Sequence, residues 1–343
     1  MFQLTPRRTI LALLGATAFA GAAHAQNVTL RFHQMLPPQA TIPAKAIVPW
    51  AKKVEAESGG RIKIQVFNTM QLGGTPPQLF DQAKDGVVDI TWTVLGYTPG
   101  RFPKTEVFEI PFLTTTGEAS SKALWEYVQK NATDEFKDVK LIAVHTHGPG
   151  LFHTKTPVTG LESLQGMKIR GGSRIINNML TKLGATPVGM PVPAVTEALS
   201  KGVIQGTTIP WEVAPSLKVH ELVKNHTTFH GPNGLYNSTF AVSMNKASYD
   251  KLPADLKQVI DKNSGFETAA FFGRAMDEGD AAGRAIAEKA GNKIVALEAA
   301  ETQRWRRTAG SVADDWIKEV GAKGIDGKKL LSEARDLIAK HSK

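Results

Sequence analysis

The chain contains no cysteine. Disulfides, thiolate nucleophiles, cysteine–zinc sites and thiol redox chemistry are therefore excluded together. It also has no H-E-x-x-H helix, no P-loop and no G-x-G-x-x-G turn, and Gly171-Gly172-Ser173 falls short of the G-x-S-x-G nucleophile elbow. The net charge of +9 is spread along the chain, without a basic run or interleaved aromatics. That pattern suits solubility and some attraction for anions, not nucleic-acid binding. Beyond the first residues there is no apolar run long enough for a membrane helix.

What is present is the material of a globular protein. The 343 residues suffice for two ordinary domains, and 42% of them are hydrophobic. Arg7-Arg8, the apolar run Ile10–Ala20 and Ala23-His24-Ala25 form the three parts of an export signal. Residues 1–25 are expected to be removed after Ala25, leaving a mature chain that starts at Gln26 and is released to the periplasm, through either Sec or twin-Arg export.

The mature part alternates strands with helices, the signature of a mainly parallel α/β sheet. Val28, Leu30 and Phe32 alternate with polar residues as a first strand, and Ile62, Ile64 and Val66 as a second. Between them Ile42–Glu57 reads as a helix, with Pro43 in its first turn and Pro49 able to kink it. Pro76–Lys84 is a short helix, Val87–Val94 a buried strand with Trp92 near its end, Glu118–Asn131 a helix and Leu141–His145 a strand. The pattern from Asp255 to about Ala290 is helical for longer than usual, with Gly265, Gly273 and Gly279 as possible bends. Lys293–Leu297 is a strand, and helices follow over Glu301–Val320 and Lys328–Lys340.

An internal echo suggests two similar lobes. Ala83–Thr91 and Leu199–Thr207 both read as helix end, glycine stop, Val-Val or Val-Ile, a polar residue and a strand. After the second copy, Ile209-Pro210-Trp211-Glu212 leaves a strand end for a helix. The segment Leu161–Asn177 carries the clearest candidate for chemistry. Met167–Arg170 is a short strand, Gly171-Gly172 breaks it, and Ser173 caps a helix whose apolar face is Ile175, Ile176, Met179, Leu180 and Leu183. Arg170 thus sits at the carboxyl end of a strand, where open α/β sheets bind ligands. Its guanidinium is either a rigid fork for a carboxylate or the structural partner of an acidic neighbour.

The L-x-x-L-x-G-x-K-I-R run (Leu161, Leu164, Gly166, Lys168, Ile169, Arg170) resembles a segment of the solute-binding proteins of tripartite ATP-independent periplasmic (TRAP) transporters, the DctP type. The likeness extends to the turn Asn68–Gly74, the G-V-V-D strand start, Gly184–Met190, Glu197–Ile204, Leu252–Lys257 and the long late helix. It implies an α/β, two-lobed periplasmic binding protein fold, with a ligand cleft between the lobes and a long helix crossing both. It implies no enzymatic activity and no cofactor. The expected partners are an organic acid and the small and large membrane permease subunits, with the receptor itself a monomer. Residues 26–148 plus 237–276 are expected to form one lobe, and 149–236 plus 277–343 the other with the C-terminal helices.

In that family the arginine grips the ligand carboxylate, a role carried over to Arg170. Two departures bear on the ligand. Family members often have D-G-x-x-N-P where this chain has Gln205–Pro210, so Ile209 replaces an amide that touches ligand. Val192 stands where sugar-acid binders carry an aromatic. With Trp92, Tyr97, Phe152, Trp211, Tyr236 and Phe240 as candidate walls, and His33, Gln34, His147 and Asn233 as candidate polar contacts, the expectation is a monocarboxylate with an apolar or aromatic body. The alternatives are a dicarboxylate or a small hydroxy or keto acid in the same fold. A third, of another class, is an exported metal-dependent hydrolase using His145 and His147, two apart on one strand face.

Overall fold

A computed structural model describes residues 27–343. The expected signal peptide and its cleavage point lie outside the described residues. Among the described residues eleven strands form two sheets. The first holds β1 (Val28–His33), β2 (Ile62–Phe67), β3 (Ile90–Val94), β4 (Val139–Thr146) and β10 (Thr239–Asn245), in the order β2-β1-β3-β10-β4. The second holds β5 (Leu151–Thr154), β6 (Lys168–Gly171), β7 (Thr186–Gly189), β8 (Gly206–Ile209), β9 (Asn225–Thr228) and β11 (Lys293–Ala296), in the order β11-β9-β5-β8-β6-β7.

The two sheets share one plan. In each, three parallel strands (β2-β1-β3 and β7-β6-β8) are followed by an antiparallel one. That antiparallel strand, β10 or β5, enters from the other sheet, because the chain crosses over residues 147–150 and again over 229–238. The echoed segments occupy matching places ahead of β3 and β8. Gly86 (φ 76°) and Gly202 (φ 70°) end their helices in the left-handed conformation. Val87 and Val203 are each about half exposed, whereas Val88 and Ile204 are fully buried. The likeness is therefore structural, down to which valine faces water.

The structure corrects several expected boundaries. β3 begins at Ile90, not Val87, because the residues after the glycine stop form a bend. The first helix opens with a wide turn over Pro43–Ile47 before the regular part Val48–Glu57. Pro49 has no N–H to return to the carbonyl four residues earlier, and the wide turn absorbs that mismatch. The long helical pattern is two helices, Ala254–Lys262 and Phe266–Lys289, parted where Gly265 takes φ 94°. Gly273 and Gly279 stay helical. Residues 211–218 are turns before a short helix, Val219–Leu222, so the chain does not pass from β8 straight into a helix. The expected helix Glu301–Val320 is divided at Gly310 into Ala299–Ala309 and Ser311–Gly321.

The helix Phe266–Lys289 ties both halves together through two aspartates one turn apart. Asp277 accepts from the N–H groups of Gly117 (2.6 Å) and Glu118 (2.8 Å), at the start of the helix Gly117–Asn131. Asp280 accepts from the N–H of Glu212 (2.8 Å), just beyond β8. Backbone donors from each half thus end on one rigid element, where carboxylates satisfy them.

Candidate functional site

The carboxyl ends of β3, β6 and β8 converge on a cavity of about 40 Å³, partly open to solvent. Arg170 lies in its wall. β6 is pinned between β7 (Arg170 opposite Val188) and β8 (Arg170 opposite Thr207), so the strand end cannot shift. The next helix begins at once, with Ser173 accepting from the N–H of Ile176. The guanidinium lies against Gly172, where a Cβ would come within 3.0 Å of Nη2. Glycine is the residue that leaves this room.

Arg170 is only 4% exposed. Its Nε donates to Met190 O (2.8 Å), Nη1 to Thr208 O (3.1 Å) and Nη2 to the Tyr97 hydroxyl (3.4 Å). All three acceptors are neutral, and Arg170 enters no ion pair among the described residues. One hydrogen on each terminal nitrogen remains unspent. A buried cation without a counter-charge is costly, and this one presents half a fork to an empty space. The structural alternative, in which Arg170 serves an acidic neighbour, finds no ion pair among the described residues, although Glu212 lines the same cavity.

The opposite wall is aromatic. Trp92 and Phe240 stack with ring centres 5.1 Å apart and planes 9° from parallel. Trp92 and Val94 stand two apart on β3 and so share a face. Leu36, Val192, Ile209, Val213 and Tyr236 add apolar surface. Tyr97, in the turn that follows β3, also accepts from the N–H of Val192 (2.8 Å). Its hydroxyl thereby links the first sheet to the second. Burial raises its pKa against the pull of Arg170.

Two further titratable groups border the cavity. Glu212 is buried, its Oε2 has no partner, and burial with the charge of Asp280 pushes it up to about 8. It is a neutral acid at pH 7. His147 places Nδ1 2.6 Å from Gly148 O, which fixes the proton on Nδ1, while Nε2 is buried without a partner. Burial, seconded by the charge of Arg170 beyond a raising backbone bond, lowers its pKa to about 4.

Of the residues expected at the site, the structure brings together Arg170, Trp92, Tyr97, His147, Val192, Ile209, Tyr236 and Phe240. Five lie elsewhere. His33 is held between Gln82 (2.7 Å) and the N–H of Leu72 (3.2 Å). Gln34 spends its amide on Leu36 and Asn68. Phe152 packs in the core against Trp305. Trp211 lies behind the β8 end, against His153 and His226. Asn233 bonds Leu113 O and Thr114 O and receives Arg306. His33 and Gln34 stand at the end of β1 with their polar atoms spent within the chain, Phe152 lies inside β5, Trp211 in the turns after β8, and Asn233 in the second crossover. Leu36, Val94, Glu212, Val213 and Ser238 were not anticipated; for Val94, the two-residue alternation from Trp92 is the signal that would have found it.

The metal-hydrolase alternative finds no support in His145. Its Nε2 accepts from Trp92 Nε1 (2.8 Å), and its ring stacks on Phe240 at 4.8 Å. It is spent inside the aromatic wall, with burial lowering its pKa to about 3. No group of three His, Cys, Asp or Glu is placed to hold a metal among the described residues.

Comparison with known proteins matches residues 32–319 to the family model of DctP, the bacterial extracellular solute-binding protein family 7. A TRAP solute-binding protein from Rhodoferax ferrireducens T118, solved with copurified benzoate, is 51% identical over 92% of this chain and 99% of its own, with a TM-score of 0.91. A marine metagenome TRAP solute-binding protein specific for aromatic acid ligands, solved with 3-hydroxybenzoate, is 48% identical over 93% of this chain and 100% of its own, again with a TM-score of 0.91. The C4-dicarboxylate-binding periplasmic protein DctP of Rhodobacter capsulatus is 27% identical over 95% of this chain and 98% of its own.

Proposed function

Because the chain belongs to the bacterial extracellular solute-binding protein family 7, the solute-binding proteins of TRAP transporters, we propose that it captures an aromatic monocarboxylate in the periplasm and delivers it to membrane permease subunits. The observation that carries this reading is the buried Arg170, whose terminal N–H groups face the cavity without an anionic partner. A ligand carboxylate supplies the missing charge with bidentate geometry. The stacked Trp92 and Phe240, with Tyr236, Ile209 and Val213, form a wall suited to a planar ring. Relatives at 51% and 48% identity hold benzoate and 3-hydroxybenzoate, which supports the same chemistry here. We assign residues 26–148 with 237–276 to one lobe and 149–236 with 277–343 to the other, closing on the ligand between them.

A dicarboxylate fits less well. Among the described residues Arg170 is the one cationic side chain lining the cavity, so a second carboxylate would be buried without a counter-charge. Burying a ring contributes roughly 1.5–3 kcal/mol beyond the carboxylate clamp, by analogy with a Phe side chain. Thermal unfolding in the presence of benzoate, acetate, lactate and succinate tests the proposal. Benzoate is expected to raise the melting temperature most. A larger rise with succinate, and none with benzoate, would sink the aromatic reading while leaving the transport role intact.

A further inference from the structure

Two buried groups in the cavity, His147 and Glu212, are not accounted for by a carboxylate and a bare ring, and the histidine has the fixed proton. His147 is 2% exposed and stands edge-on to Tyr236 (5.4 Å) and Phe240 (6.0 Å). Its Nδ1 carries the proton, since the atom facing it is a carbonyl oxygen, and carbonyls accept. Nε2 is therefore a lone-pair acceptor. His147 lines the cavity, and its Nε2 is buried and meets no donor among the described residues. Leaving such an atom unpaired is unfavourable, so the bound state should supply a donor.

The ligand carboxylate cannot be that donor, because it offers only lone pairs. Charging the imidazole to reverse its role is opposed by burial and by the nearby guanidinium. The chemistry that satisfies Nε2 is an O–H on the ring itself, and a phenolic O–H is a stronger donor than an aliphatic one. Resting on the aromatic-acid reading above, we propose that His147 Nε2 accepts a hydrogen bond from a ring hydroxyl, so that the protein selects hydroxylated aromatic acids over unsubstituted ones. Arg170 then fixes the acid end and His147 reads the substituent. Sites built to pair a substrate hydroxyl discriminate strongly against the analogue that lacks it.

Titration calorimetry with benzoate, the three monohydroxybenzoates and their methoxy counterparts tests this on the unmodified protein. One hydroxy isomer should bind about tenfold tighter than benzoate, and its methoxy counterpart, which has no proton to give, should lose that gain. In His147→Phe, which keeps an aromatic edge against Tyr236, the hydroxy and unsubstituted acids should bind within about twofold of each other. Equal affinity for benzoate and every hydroxy isomer overturns the inference but not the aromatic-acid function. A hydroxyl preference that survives in His147→Phe also overturns it, placing the reader elsewhere. Failure of all benzoates to bind overturns both.

Discussion

Arg170 and Arg174 stand four residues apart on either side of one strand–helix junction, yet their surroundings are opposite. Arg174, the first residue of its helix, donates through Nε and Nη2 to Glu106 and through Nη1 to Glu319. Its partners are anions supplied by the chain, and its side chain is 25% exposed. Arg170 is deeper and needs a counter-charge more, but it has only neutral oxygens. A guanidinium whose charge is met within the chain holds structure together; one whose charge is left unmet in a cavity is held ready for a ligand. Glu106 lies in the segment after β3 and Arg174 after β6, so the satisfied arginine fastens the two sheets together beside the unsatisfied one.

The largest effect should come from removing the unmet charge. Losing one member of a buried ion pair costs roughly 3–5 kcal/mol, or about a hundred- to several-thousand-fold in affinity. Arg170→Ala should nearly abolish aromatic-acid binding in calorimetry, while the ligand-free protein melts no lower than the parent. Arg170→Lys keeps the charge but not the fork, and should also bind weakly. Near-normal affinity in both variants would erase the contrast and make Arg170 structural.

Arg174→Ala should show the reverse. Glu106 is 5% exposed and would lose its cation, so about 1.5–3 kcal/mol of stability should go, the scale of a hydrogen bond to a charged group. Chemical denaturation measures it. Affinity should fall much less than in Arg170→Ala; a binding loss of equal size would show that the two arginines act as one unit and not as opposites.

Much of this contrast could be read without coordinates. The serine cap and apolar face after Arg170 are local signals that hold, whereas the strand lies one residue later than expected, Lys168–Gly171, so Gly171 belongs to it instead of breaking it. The two matching sheets were visible in the echo around Gly86 and Gly202. What escaped depends on which way a side chain turns once the strand is over. Ile209 and Trp211 are two apart and would share a face in an extended strand, but β8 ends at Ile209 and turns follow, so only Ile209 faces the cavity. β9, Asn225-His226-Thr227-Thr228, has no apolar alternation to reveal it. It is buried all the same, because His226 Nδ1 meets His153 Nδ1 at 2.7 Å and Thr227 donates to Val158 O. Local pattern cannot report a partner seventy residues away.

The smallest effect tests how the two arginines' neighbourhoods are coupled. Tyr97 belongs to the β3 side, and its hydroxyl accepts from Val192 N–H and Arg170 Nη2, both on the β6 side. Under the proposed closure, these bonds span the cleft and form with it. Tyr97→Phe would leave both donors short of an acceptor in a buried place, at a cost of about 0.5–1.5 kcal/mol, which is between about two- and tenfold in affinity. Because the contacts form with closure, the loss should appear in the dissociation rate more than in the association rate. Stopped-flow release of a bound hydroxybenzoate would measure it, and scattering should still show the liganded variant contracting. If release is unchanged, the tyrosine merely lines the cavity, and closure rests on other contacts between the two sides, such as Arg174 with Glu106 and Thr41 with Glu212 O.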